Sequence, residues 1–202
     1  NLGAASQLAV KYEVGTAAGQ SEVRFTVTLT NAGTTPYAAV AFSPNGVMGG
    51  AMEDLNTVVC AGDRATQYEL QSAAQDPATQ GVETTTDFTS ESMTVTAGTL
   101  TCVFRKRLYD AAPAASNVVS IVSGTPFAVA YAFGTVTNGA LAQHDAANRA
   151  RVRDLEISTA CPTATTFTAS CAEQDLLNLG AASQLAVKYE VGTAAGQSEV
   201  RF

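Results

Sequence analysis

The chain contains no tryptophan and only one histidine, His144, among its 202 residues. A single histidine leaves no Ser/His/Asp set to assemble, and the sequence has neither a Gly-x-Ser-x-Gly nucleophile motif nor a phosphate-binding loop. Aromatic residues make up 7% of the chain, and no pair of carboxylates is flanked by the aromatic platforms that sugar hydrolases use. We therefore expect that the protein is not an enzyme.

Charged residues are also scarce, at 14% of the chain, and acidic residues outnumber basic ones to give a net charge of -7. Nucleic acid repels such an acidic chain and is therefore not an expected partner. No apolar run approaches the roughly 20 residues of a membrane span, and no signal peptide is recognisable. Hydrophobic residues nevertheless form 46% of the sequence, which predicts a folded core.

The four cysteines, Cys60, Cys102, Cys161 and Cys171, include no Cys-x-x-Cys pair, so disulfides are expected rather than a structural zinc site. Disulfides indicate a protein that is extracellular or at the cell surface. Three pairings are possible, and buried reduced thiols are the alternative. We favour Cys60 with Cys102, which ties two strands, and Cys161 with Cys171, which closes a short loop.

The first 25 residues recur without substitution as residues 178–202, an offset of 177 because Asn178 repeats Asn1. This identity predicts a tandem repeat of a 177-residue unit, whose partners are neighbouring identical repeats in a homopolymer or filament. The expected domains are a β-sandwich over 1–160, a Cys-bounded linker over 161–177 and the start of the next repeat over 178–202. Whether that last segment docks on the preceding domain by strand exchange stays open.

Period-two and β-branched runs bounded by Gly, Pro, Asn or Asp dominate the sequence. They predict an all-β fold, an immunoglobulin-like β-sandwich, with a short helix only at AEQDLL near the second copy. The ten expected strands cover residues 7–14, 22–30, 37–42, 55–60, 66–70, 93–96, 100–107, 118–122, 127–133 and 152–157.

Three segments occur in a recognisable order: AVAFSPNGVMGGAMEDLNTVV, then TLTCVFRKRL, then FAVAYAFGTVTNGALAQHDAANRARVRDLEI. This order resembles the DOMON family, the β-sandwich domains related to the cytochrome domain of cellobiose dehydrogenase and to plant auxin-responsive apoplastic cytochromes. The resemblance covers most of residues 6–158. The chain departs from the family in lacking the tryptophans that are common there.

The resemblance implies a b-type haem held by a methionine of the first loop and a histidine of the late loop. The matching residues are Met48 and His144, with Met52 as the rival first-loop ligand. A thioether and an imidazole are a known axial pair for haem iron, and a six-coordinate iron transfers electrons rather than binding oxygen. No Cys-x-x-Cys-His motif occurs, so the haem is expected to be non-covalent.

Other residues are expected around the haem because they are near the ligand loops in sequence. Arg149 or Arg151 is a candidate partner for a propionate, although an ordinary solvated arginine is the more common explanation of either one. The candidate apolar walls of the pocket are Phe42, Val47, Phe133 and Leu141.

These observations predict an extracellular b-type haem cytochrome repeat that transfers or stores electrons along a filament or tandem array. Its redox partner is not identifiable from the sequence. The alternative is a haem-free structural, adhesive or glycan-binding fibre built from DOMON sandwiches.

Overall fold

The computed structural model describes residues 6–43, 55–70, 81–113, 119–144, 148–157, 174–178, 192–194 and 197–199. Within these ranges the chain forms fifteen β-strands. Their bounds are β1 Gln7–Ala17, β2 Gln20–Thr30, β3 Pro36–Ser43, β4 Leu55–Ala61, β5 Arg64–Leu70, β6 Val82–Glu83, β7 Phe88–Thr96, β8 Thr99–Tyr109, β9 Ile121–Val122, β10 Phe127–Thr137, β11 Ala140–Leu141, β12 Arg149–Leu155, β13 Gln174–Asn178, β14 Gly192–Ala194 and β15 Gln197–Glu199.

The first sheet has the strand order β13-β1-β2-β8-β7, and the short β9 pairs in parallel with β8. Its hairpins turn on Ala18-Gly19 and Ala97-Gly98, in which all four residues have positive φ. Two successive residues of positive φ make the type I′ turn, whose twist matches that of the flanking strands. The turn sequence therefore sets the pairing of β1 with β2 and of β7 with β8.

The second sheet has the order β11-β10-β3-β4-β5-β6, with β12 also paired to β10. Strand β10 is central, since β3 lies along one of its edges and β11 and β12 along the other. The two sheets face each other over an apolar core. At its centre the Phe25 ring lies 5.3 Å from the Phe42 ring and 5.2 Å from the Phe104 ring, measured between centroids. The all-β prediction is confirmed, with two sheets packed as a sandwich.

The predicted helix at AEQDLL is wrong over residues 174–178, which form strand β13 instead. This strand pairs antiparallel with β1, from Ala9 opposite Asn178 to Tyr12 opposite Gln174. The open edge of β1 offers backbone hydrogen bonds that outweigh a weak local helix preference. Farther on, β14 and β15 form a hairpin with the same register as the matching residues of the first copy, 15–17 and 20–22.

A disulfide between Cys60 and Cys102 crosses the sandwich from β4 to β8, with 6.1 Å between the two Cα atoms. This confirms one of the two favoured pairings and is compatible with an extracellular protein. Cys161 and Cys171 lie outside the described residues. The described part of the chain contains no helical segment with the length and apolarity of a membrane span.

The outer face of the first sheet carries a ladder of ion pairs. Arg24 on β2 lies directly opposite Arg105 on β8, so two like charges are neighbours. Glu91, at a bulge of β7, binds both arginines, at 2.6 Å from Arg24 Nε and 2.7 Å from Arg105 Nε. Glu13 and Glu22 each bind one of them. The bulge thus places a carboxylate that bridges the two arginines.

We expect Glu91→Gln to lower the free energy of unfolding by about 1 kcal/mol at low salt, because the arginine pair loses its shared counter-charge. The loss should shrink at high salt, where the repulsion is screened. Urea unfolding at two ionic strengths measures both effects. Glu83→Gln is the matched control, since Glu83 reaches only the exposed Arg64 at 3.5 Å. Equal losses for the two variants would contradict the prediction.

Candidate functional site

His144 lies in the segment between β11 and β12 and is half-buried. The two sequence-predicted first-loop ligands, Met48 and its rival Met52, and the wall residue Val47 lie outside the described residues. Of the two predicted iron ligands, His144 lies within the described residues and Met48 does not.

Three contacts hold the chain just before His144 against the second sheet. Strand β11 pairs with the end of β10, and the Ala142 backbone N–H donates to the Thr135 carbonyl at 2.8 Å. The Tyr37 hydroxyl donates to the Ala142 carbonyl at 2.9 Å. A glycine makes this last bond possible, because a Cβ at Gly134 would lie 2.6 Å from Tyr37 Cε1. The tyrosine ring thus occupies the space that a larger residue at 134 would fill.

The register of β10 relates the His144 segment to the loop that carries Met48. Beyond Ala142 the chain reaches Arg149, which pairs with Ala132 of β10. Ser43, after which residues 44–54 begin, pairs with Ala128 on the same strand. Four residues of a β-strand span about 13 Å. The described residues that flank the two predicted ligand segments therefore all lie along β10, with Ser43 opposite Ala128, Arg149 opposite Ala132 and Ala142 bonded to Thr135.

The predicted wall residues lie on two different faces of that sheet. Phe42 and Phe133 point inward and belong to the closed core of the sandwich. Leu141 packs on the outer face against the small cluster that contains Tyr37 and Val59. Side chains alternate along a strand, so residues close in sequence to one loop need not face one pocket. Arg149 is exposed at the start of β12. Arg151, on the same strand, lies opposite Ala130 of β10.

A shallow groove of about 460 Å³ runs over this outer face, at the end of the sheet where β3 begins. Its described lining is uncharged and mixes aliphatic residues with threonine. The lining residues are Thr34, Thr35, Pro36, Val59, Ala61, Gly62, Thr66, Tyr68, Val95, Val136, Gly139 and Leu141. The groove lies at the end of β3 opposite Ser43, and Leu141 in its lining is three residues before His144.

A second constellation lies inside the sandwich, around Lys106 on β8. This lysine is 1% exposed, and its Nζ donates to Asn56 Oδ1 at 2.7 Å and to Gln67 Oε1. The Phe42 ring centroid lies 5.2 Å from the same nitrogen. Burial lowers the pKa of Lys106 to about 7, against an opposing effect of the nearby Asp87 carboxylate. The lysine joins the two sheets by polar contacts.

The partners of Lys106 are themselves fixed. Gln67 Nε2 donates to the Thr86 carbonyl at 2.9 Å, and Asn56 Nδ2 donates to the Tyr68 carbonyl at the longer distance of 3.3 Å. Asp87 follows Thr86 directly, and its Oδ2 is buried without a hydrogen-bond partner among the described residues. A buried polar atom in this condition costs free energy, because it has lost its hydrogen bonds to water.

The sequence pattern does not single out this lysine, because Arg105, Lys106 and Arg107 resemble a solvated basic run. One signal was available. Lys106 is in phase with Cys102 and Phe104 at a period of two, which places all three on the inner face of β8.

No protein-family model, no curated protein and no solved structure matches this chain. The resemblance to the DOMON family therefore depends on the ordered motifs of the sequence.

Proposed function

We propose that the chain is an extracellular b-type haem cytochrome domain of the DOMON type, which transfers or stores electrons. The axial ligands are Met48 and His144. The observation that carries the proposal is that the strands leading into the two ligand segments, β3 and β11, both pair with β10. The three ordered DOMON-like motifs support it independently.

The donor set fits the cofactor. A neutral imidazole and a thioether give low-spin iron, and methionine raises the reduction potential of the haem relative to a second histidine. When bound, the haem supplies a one-electron couple. The protein supplies the rest: His144 and Met48 would hold the iron, and Arg149 or Arg151 would pair with a propionate. The bond from Tyr37 to Ala142 limits how far the backbone near His144 can shift.

Repetition extends this proposal from one domain to an array. Identical units carry identical ligand environments, so their haems have equal potentials, and electrons move among them without an energetic preference for one site. Neighbouring identical repeats are then the partners of this domain, together with a redox donor and acceptor. Such an array conducts or stores electrons and catalyses no reaction of its own.

The first test is the visible spectrum of the purified protein before and after dithionite. We expect a sharpened α-band of b-type haem, with about one haem per unit, because two strong axial ligands give a low-spin ferrous iron. His144→Ala should remove this low-spin signature, and Met48→Leu should remove the sulfur ligand. Met52→Leu is the matched control and should leave the spectrum unchanged.

Two results would contradict the assignment. If Met52→Leu removes the sulfur ligand and Met48→Leu does not, Met52 is the ligand. A protein that retains no haem after incubation with haemin and reductant, followed by gel filtration, carries no haem site.

A haem-free structural fibre is the second candidate, and two features of the described fold favour it. The Cys60–Cys102 disulfide ties the two sheets, while β13 covers the edge of β1. Cross-linked sheets with a covered edge suit a building block that carries load. The colourless outcome of the spectral test selects this candidate.

A further inference from the structure

Lys106 and Asn56 carry the two groups from which an amide bond can form. A primary amine and a carboxamide lie in contact, with 2.7 Å between Nζ and Oδ1. Each of the two residues is 1% exposed. We propose that Lys106 and Asn56 join to form a covalent amide between the two sheets, with release of ammonia.

The position of the pair matches that of the disulfide. Cys60 and Cys102 join β4 to β8, and Asn56 and Lys106 belong to the same two strands. Asn56 lies four positions before Cys60, and Lys106 lies four positions after Cys102. The two pairs thus sit at matching steps along strands that run in opposite directions. A bond at Lys106 would fasten the other end of a strand pair that is already fastened at Cys102.

The surroundings favour the reactive form of the amine. A protonated ammonium has no lone pair for attack, and burial among apolar groups such as the Phe42 ring favours the neutral amine. Activated amines in proteins are commonly lysines desolvated in this way. Burial also keeps bulk water from competing for the carboxamide carbon. The site therefore holds the nucleophile and its target together in a dry environment.

The reaction balances without any other reagent. The Nζ lone pair attacks Asn56 Cγ, and the bond from Cγ to Nδ2 breaks, so that one C–N bond replaces another. Nζ loses one proton and Nδ2 gains one, which leaves a secondary amide and ammonia. Asp87 is the acidic group whose charge acts on Lys106; its carboxylate also interacts with the Tyr109 side chain, while its buried Oδ2 has no hydrogen-bond partner among the described residues. We assign Asp87 as the proton carrier between the two nitrogens.

Gln67 also accepts from Lys106, but its leaving nitrogen is held more firmly. Gln67 Nε2 donates to a backbone carbonyl at 2.9 Å, whereas the bond of Asn56 Nδ2 measures 3.3 Å. Loss of ammonia from Asn56 therefore breaks the weaker contact. The amide that forms keeps one N–H on Nζ, which still has Gln67 Oε1 as its acceptor. Gln67 thus orients the nucleophile.

The intact mass of the full chain after disulfide reduction tests the proposal. We expect a mass lower by one ammonia than the sequence requires. Trypsin locates the bond, because Asn56 lies in the peptide 25–64 and Gln67 in the peptide 65–105. A branched peptide that joins Lys106 to 25–64 supports the proposal, and one that joins it to 65–105 identifies Gln67 as the target. An unmodified mass overturns the proposal.

Three variants make the result independent of how well any one of them folds. Asn56→Ala should restore the full mass of its own sequence. Asn56→Asp should form the same amide by losing water. Its final mass should then equal that of the native sequence after loss of ammonia. Asp87→Asn should show no loss of ammonia, and a normal loss there removes Asp87 from its assigned role. None of these readouts requires haem, so they test the amide independently of the cytochrome proposal.

Discussion

In an Asn56→Ala chain, which cannot form the proposed amide, replacing Cys60 and Cys102 together by alanine is expected to lower the free energy of unfolding by about 4 kcal/mol. The loss is smaller with the amide in place, because a bond between Asn56 and Lys106 closes a loop around the disulfide. The disulfide closes a loop with a sequence separation of 42, so its removal returns a large conformational entropy to the unfolded chain. Both sulfurs belong to the closed core, so the variant also loses some packing. Denaturant unfolding under non-reducing conditions measures the effect.

Reduction of Asn56→Ala provides the matched comparison, because it removes the disulfide without removing the sulfur atoms. The double variant and the reduced protein should agree to within about 1 kcal/mol if chain entropy dominates. A loss below about 1 kcal/mol in both would mean that the two sheets are held in register by other contacts.

Replacing Lys106 by methionine is expected to lower the free energy of unfolding by at least about 2 kcal/mol. Methionine fills a similar space but donates no hydrogen bond, so Asn56 Oδ1 and Gln67 Oε1 lose their shared donor inside the core. Arg107→Met is the matched control on the same strand. Arg107 lies over the Tyr109 ring on the outer face, and its loss should cost under about 1 kcal/mol. Similar losses for the two variants would contradict the role given to Lys106.

The pH dependence of stability distinguishes a free Lys106 amine from an amide. A free amine has a pKa of about 7 in the folded chain and 10.5 in the unfolded chain. Between these values the unfolded state binds one more proton, so the free energy of unfolding rises with pH by about 1.4 kcal/mol per unit. That stability is fully present above pH 10.5 and is lost as the pH falls to 7. An amide does not titrate, so we expect this rise in Asp87→Asn and not in the native sequence. In Asp87→Asn the rise extends below pH 7, because the Asp87 charge that raises the pKa of Lys106 is gone.

Local pattern predicts the strands of this fold well where a strand has one polar and one apolar face. β1 and β2 alternate in this way, and the turn at Ala18-Gly19 closes them into a hairpin. β7 was expected only over 93–96, yet it begins at Phe88. Its first half is almost wholly polar and lies at a sheet edge, so it has no apolar period to detect. Its pairing with β8 defines it.

Tertiary context decides the features that local pattern misses. β13 is a strand because β1 has an open edge, which lies far away in the sequence. The fit of Tyr37 over Gly134 depends on the register of β3 against β10, which puts the two residues opposite each other. The burial of Lys106 likewise needs Asn56 and Gln67 from another sheet. Sequence reasoning can name His144 and Met48 by family resemblance, but it cannot say which face of the sheet their neighbours occupy.

The pairing of β13 with β1 determines how the domain responds to tension. The strands are antiparallel, and the start of β1 lies beside the end of β13, where Ala9 pairs with Asn178. A force that pulls Gln7 away from Asn178 therefore opens this pair from one end, one rung at a time, rather than shearing all of its hydrogen bonds together. β13 yields first and at low force, while Cys60 and Cys102 still lock the core. Units joined in series at these ends would lengthen under load before any core opened, as an extensible tether does.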